Sequence, residues 1–214
     1  MIGLLGQAHV GLFLTASLAF LLIPGPAVLY IVGRSVAQGR GAGLVSVAGI
    51  HAGTLVHVAA AALGVSALLM ASATAFEIVK FAGAAYLIWI GLRRLFGAGS
   101  EAGDAGLRRA SHWGLFRNGF VVNLLNPKVA LFFLAFLPQF VVPARGAVAG
   151  QMLGLGLLYV ALGFVTDGAY ALAAGTAGDW LRRSRGWLGF ERYVSGTLFI
   201  ALGLAAAVAG GRQR

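Results

Sequence analysis

The chain has 214 residues, 59% of them hydrophobic and only 10% charged, with a mean hydropathy of +0.88. A soluble domain carries about 25% charged residues to solvate its surface, so this composition excludes one and makes lipid the expected solvent. The net charge of +10 and pI near 11.3 do not build a nucleic-acid face, because the basic residues fall between apolar blocks as loop anchors do. With no cysteine, disulfides and thiolate chemistry are excluded as well.

A spanning helix needs about 20 mostly apolar residues. In chain order the candidates are roughly 4–33, 43–69, 75–96, 116–142, 147–177 and 193–211, about six helices in an all-α integral membrane protein. The first block has no Lys or Arg before Arg34, hence no basic leader of a cleavable signal, and reads as a retained helix. Pro24-Gly25-Pro26 breaks it. The second helix carries His51, Thr54 and His57. Thr74-x-x-Glu77 reads as a capping box at the start of the third, and Arg93 and Arg94 at its far end can snorkel to the headgroups. The stretch 97–115, with Gly-Ala-Gly-Ser-Glu-Ala-Gly, reads as a flexible linker. The fourth helix is broken at Asn126-Pro127, and the fifth holds one deep acidic residue, Asp167.

Lys and Arg sort by loop. The 1–2, 3–4 and 5–6 connections hold eleven of them, Arg34 among them, and the opposite side holds four: Lys80, Arg145, Arg212 and Arg214. The positive-inside rule then puts both termini outside. The order of breaks and Gly-rich runs also repeats. "GRGAGLVSVAG" (39–49) follows the first broken helix and "ARGAVAGQMLG" (144–154) the second. Three helices per half is odd, so the halves, about 1–96 and 116–214 around the linker, would sit inverted within one transmembrane domain.

Pro127 frees the carbonyl of Asn123, and Pro24 and Pro26 free those of Phe20 and Leu22. In hydrocarbon each must find another partner. A plain kink is the bland alternative to a binding site. Lys128 lies about 18 Å along its helix from Phe116, and Asp167 about 17 Å from Gly178, so both charges sit deep, where an unpaired one is costly. A structural pair between them and a pair contested by solute or proton are both open. His57 continues the small-residue row Gly49, Gly53 and Ala61 at i+4 spacing and should face a neighbouring helix. Hydrogen-bonded packing and a proton relay both fit it. His51 and His57 are six apart, a poor metal-ligand spacing. No catalytic motif of GxSxG, P-loop or HExxH type occurs, so the expectation is a non-enzyme without cofactor or metal.

The stretches "PGPAVLYIVGRSVAQGRGAG" (24–43), "AGIHAGTLVHV" (48–58), "FEIVKFAGAAYLIWIGLRRL" (76–95) and "FRNGFVVNLLNPKVALFFLAFLPQFV" (116–141) resemble the LysE/RhtB family of amino-acid exporters. The resemblance implies a six-helix, proton-driven exporter of amino acids or their derivatives in the inner membrane. By position its signature residues are Pro24, Gly25, Pro26, Asn123, Asn126, Pro127, Lys128 and Gln139, with Asp167 where family members tend to have an acid. The implied partners are an amino-acid-like solute, protons and the bilayer, with no nucleic acid; a homodimer is allowed. Half-helix ends would offer a positive dipole to a carboxylate and freed carbonyls to an ammonium. A solute channel and a non-transporting scaffold subunit are the alternatives. The residues do not name the solute or assign His51.

Overall fold

A computed structural model describes residues 7–65 and 109–176, with isolated helical positions at 74, 78, 81, 85, 88, 89, 92, 200 and 204. We number the continuous helices α1 (Gln7–Leu22), α2 (Pro26–Gln38), α3 (Arg40–Ala60), α4 (His112–Leu124), α5 (Pro127–Leu131) and α6 (Val148–Thr176). Among the described residues there is no strand. Two stretches are long and apolar enough to cross a bilayer unbroken: Arg40–Gly64, of 25 residues, and Val148–Thr176, of 29. The other two are bent pairs. Val10–Leu22 and Pro26–Gln38 meet at 53°, and His112–Leu124 and Pro127–Phe140 at 48°. This is an all-α membrane protein with its first and fourth spans broken, at the prolines that sequence identified. Similar bends in matching places suit two inverted halves.

Three boundaries differ from expectation. α2 continues past Arg34 to Gln38, and Arg34 is buried, its guanidinium carbon 5.5 Å from the centre of the Tyr30 ring. A first basic residue is therefore not the start of a loop here, because an aromatic face receives the cation. The connection to α3 is Gly39 alone, at φ 86°, a left-handed conformation that favours glycine. α4 starts at His112, inside the stretch read as a linker, because the Ser111 side chain caps it by accepting from the Gly114 N–H at 3.2 Å. Thr74 is itself a helical position. Glu77, the third and sixth helices (75–96 and 193–211) apart from those isolated positions, the linker over 97–108 and the arginines of the 5–6 connection lie outside the described residues.

Two kinds of packing hold the bundle. α3 crosses α4 at very short range: a Cβ on Gly49 would strike the carbonyl of Phe116, and one on Gly119 would lie 2.8 Å from the carbonyl of Ser46. Lipid tails solvate leucine as well as protein does, so such close backbone approach, rather than hydrophobic transfer, favours association. On the other side of the breaks, rings from α1, α6 and the turns that follow α5 pack into one aromatic cluster. Phe20 and Phe132 are 4.8 Å apart, Phe132 and Tyr159 4.4 Å, and Phe13 and Phe140 5.3 Å. α5 passes through a π-helical turn, Phe132–Phe136, into a tighter turn, Leu137–Phe140. Pro138 supplies no N–H there, and Gln139 donates from Nε2 to the Ala135 carbonyl at 2.8 Å. That places the signature glutamine in the backbone bonding of the turns that follow α5. Gln151 pins the following loop to α6, accepting from the Val142 N–H and donating to the carbonyls of Val142 and Gly146.

Candidate functional site

The two helix breaks lie side by side, and each is satisfied by a side chain from elsewhere in the fold. At the first, Pro24 and Pro26 leave the carbonyls of Phe20 and Leu22 without helical donors. Lys128 donates from Nζ to Phe20 O at 2.8 Å and to Ile23 O at 2.6 Å, and the Tyr170 hydroxyl donates to Leu22 O at 2.7 Å. An ammonium at a helix C-terminus also meets the negative end of the dipole. Lys128 Nζ stands 4.5 Å from the centre of the Phe20 ring. Gly25 lets it in: a Cβ there would sit 3.2 Å from Lys128 Cδ.

At the second break, Pro127 frees the carbonyl of Asn123. That oxygen accepts from the Asn126 N–H at 3.0 Å and from His57 Nε2 at 3.2 Å, so the His57 ring carries a proton on Nε2. His57 therefore faces α4 along the glycine row, stacked on Phe133 at 6.2 Å and 13°. The Asn123 side chain ties α4 to α3, its Nδ2 donating to Ile50 O at 2.9 Å and to Thr54 Oγ1 at 2.8 Å. Asn126 caps α5 by accepting from the Lys128 N–H at 3.0 Å.

Lys128 and Asp167 do not pair with each other, as equal depth had allowed. The partner of Asp167 is His51, with Nε2 3.1 Å from Oδ2 and both residues under 5% exposed. The carboxylate lies off the line of the ring N–H, since Nε2 makes no well-aligned hydrogen bond; the contact is electrostatic. The ring is held by Phe164, 4.4 Å away, and by Gly163, where any Cβ would strike it. Helical pitch conveys depth but not which neighbouring helix a side chain faces, so sequence could not choose between Lys128 and His51.

These groups line one cavity of about 30 Å³. Its polar wall is His51, Thr54, Asn123, Asn126, Lys128 and Asp167; its apolar wall includes Leu21, Val28, Ile50, Val129 and Tyr159. At about 10–15 Å³ per water, that is room for two or three waters and too little for an amino acid. Gly25, at the N-cap of α2, makes no side-chain cap, and Ala27 and Val28 of that first turn line the cavity. Asn123 Oδ1, Asn126 Nδ2 and His51 Nδ1 are buried with no hydrogen-bond partner.

Of the expected site residues, Gly25, Asn123, Asn126, Lys128 and Asp167 line the cavity; Pro24, Pro26 and Pro127 make the breaks beside it, and His57 lies behind Asn123. His51, which sequence left unassigned, lines it too, beside Asp167. Tyr170 was missed. Its i+3 spacing from Asp167 on α6, which puts both on one helix face, was the available signal.

The family model described as LysE type translocator matches residues 18–210. A homoserine/homoserine lactone efflux protein of Salmonella typhimurium is 32% identical over 197 residues, covering 92% of this chain and 95% of the relative. An uncharacterized membrane protein of Vibrio cholerae is 28% identical over 202 residues, covering 94% and 98%. A leucine efflux protein of Salmonella choleraesuis is 29% identical over 130 residues, covering 60% and 61%. No solved structure matches. With matched breaks and a polar-walled cavity inside the matched stretch, which covers most of its length, the chain belongs to the LysE type translocator family.

Proposed function

We propose that the protein exports amino acids or small amino-acid derivatives across the inner membrane, driven by the proton gradient. The observation that carries this is the cavity between the two breaks. Among its lining residues are one acid, Asp167, and an uncapped helix start at α2, so it offers opposite electrostatic poles to a zwitterion. The solute carboxylate binds at the α2 N-terminus, where the dipole is positive, Asn126 Nδ2 lacks a partner and Lys128 is adjacent. The ammonium binds at Asp167, with Asn123 Oδ1 as a further acceptor. The freed carbonyls of Phe20 and Leu22 do not serve it, being occupied by Lys128 and Tyr170. The similarity to homoserine/homoserine lactone and leucine efflux proteins supports a solute of this class.

A proton crossing the membrane yields about 2.3 kcal/mol per 100 mV, enough to concentrate solute outside. The chain works as one transmembrane domain of two inverted halves with both termini outside. The test is reconstitution into proteoliposomes with an imposed pH gradient and labelled L-homoserine or L-leucine. Accumulation that a proton ionophore abolishes supports the reading. Flux that ignores the gradient would indicate a channel, and no flux for any amino acid tried a scaffold.

A further inference from the structure

His51 has no task in solute binding as proposed, although it contacts Asp167, the one acid among the described residues that line the cavity. We propose that His51 is the proton-carrying partner of Asp167: its imidazolium and the solute ammonium occupy the Asp167 carboxylate in alternation, so each solute molecule bound expels one proton. This rests on the assignment of the solute ammonium to Asp167.

Asp167 is 4% exposed, and a carboxylate out of water demands a compensating cation. Among the described lining residues two side chains that can be cationic are candidates, Lys128 and His51. Lys128 directs its ammonium to the carbonyls of Phe20 and Ile23, which leaves His51 as the group at contact distance. The titratable and charged groups around His51 are Asp167 and Tyr159 on α6 and Lys128 on α5. Among the described lining residues, α1, α2 and α4 contribute only apolar groups, backbone and Asn123.

A second cation then cannot enter without the first leaving, since two positive charges beside one buried carboxylate repel. The ring itself cannot swing away. It is 1% exposed, packed on Phe164, and Gly163 leaves no slack behind it. Its charge leaves instead: the Nε2 proton passes to water as the ammonium arrives, and the neutral nitrogen then accepts a hydrogen bond from that ammonium. Departure of the solute restores the demand for a cation, and a proton from the opposite side returns to Nε2. One proton is exchanged for one solute molecule, with no other group changing charge. The unpartnered Nδ1 keeps the second ring nitrogen without a fixed acceptor, so no neighbouring group holds the ring in its doubly protonated form once the ammonium has arrived.

The experiment uses the full chain in detergent and L-homoserine as the probe. Proton release into weakly buffered medium and the apparent Kd are followed from pH 5 to 9. The wild type is expected to release up to one proton per homoserine bound in the acid range and none in the alkaline range. Its Kd should rise by up to about tenfold per pH unit on acidification, the slope for one linked proton. His51→Gln should release none, and its Kd should change less than about twofold across the range. Wild-type binding without proton release at any pH overturns the proposal, and needs no variant to fold. Release that persists in His51→Gln also overturns it, because the proton then comes from Asp167 itself. Wild-type protein that binds no amino acid from a panel at any pH removes the solute assignment, and the alternation with it.

Discussion

Lys128 and Phe20 are 108 positions apart in sequence, yet the ammonium of one caps the carbonyl of the other at 2.8 Å. The carbonyl lacks a helical donor because Pro24 stands four residues on, and the lysine reaches it because Gly25 has no side chain in the way. The break in the first span and the charge in the fourth are thus one structural unit. The first half-helix ends on a side chain of the opposite half.

Replacing Lys128 with Met should therefore destabilise the protein by about 1–3 kcal/mol for each of the two carbonyls left unpaired. A Lys128–Asp167 pair would predict rescue by Asp167→Asn. The observed partners predict none, because removing the acid gives no donor to Phe20 or Ile23. Thermal unfolding of both single variants and the double in detergent decides it; a double variant more stable than Lys128→Met would mean that the charges do pair.

Pro24→Ala should supply an N–H to Phe20 O and compete with Lys128 for it. Stability should stay within about 1 kcal/mol of wild type. Export should fall by about tenfold, the effect of about 1.4 kcal/mol on a barrier, as the lysine loses its seat. Export at the wild-type rate from a folded Pro24→Ala protein would make the break a mere kink.

His57→Phe keeps a ring against Phe133 and removes the donor to Asn123 O. The expected loss is about 0.5–1.5 kcal/mol, one hydrogen bond, with His57→Gln milder because it retains a donor. Equal melting temperatures for wild type and His57→Phe would show that the contact contributes nothing.

The breaks, their freed carbonyls and the glycine face of α3 could all be read in advance, because each is a local consequence of proline chemistry or of helical period. The partners of those carbonyls could not. Phe20 and Leu22 are named by counting back from Pro24 and Pro26, but nothing local says that Lys128 and Tyr170 will reach them. Arg34 misled for a related reason. A basic residue after an apolar run marks a loop only where it meets water, and Tyr30, one turn away, supplied another surface. His51 had no assignment in the sequence because its partner, Asp167, is brought to it only by the packing of α6.

Removing Arg34 from the first connection leaves ten basic residues on one side against four on the other, so the expected orientation stands. A reporter active only outside the cell should work when fused after Arg214 and stay silent when inserted at Gly99. The reverse pattern would invert the sidedness of transport.

The central claim is that Asp167 holds the solute ammonium in exchange for a proton. Uptake of labelled L-homoserine into inside-out vesicles, energised by acidifying the lumen and normalised to folded protein, tests it most directly. Wild-type vesicles should accumulate the label and Asp167→Asn vesicles should not, with loss of at least about a hundredfold, equivalent to about 2.7 kcal/mol. Accumulation at the wild-type level by a folded Asp167→Asn protein would contradict the account.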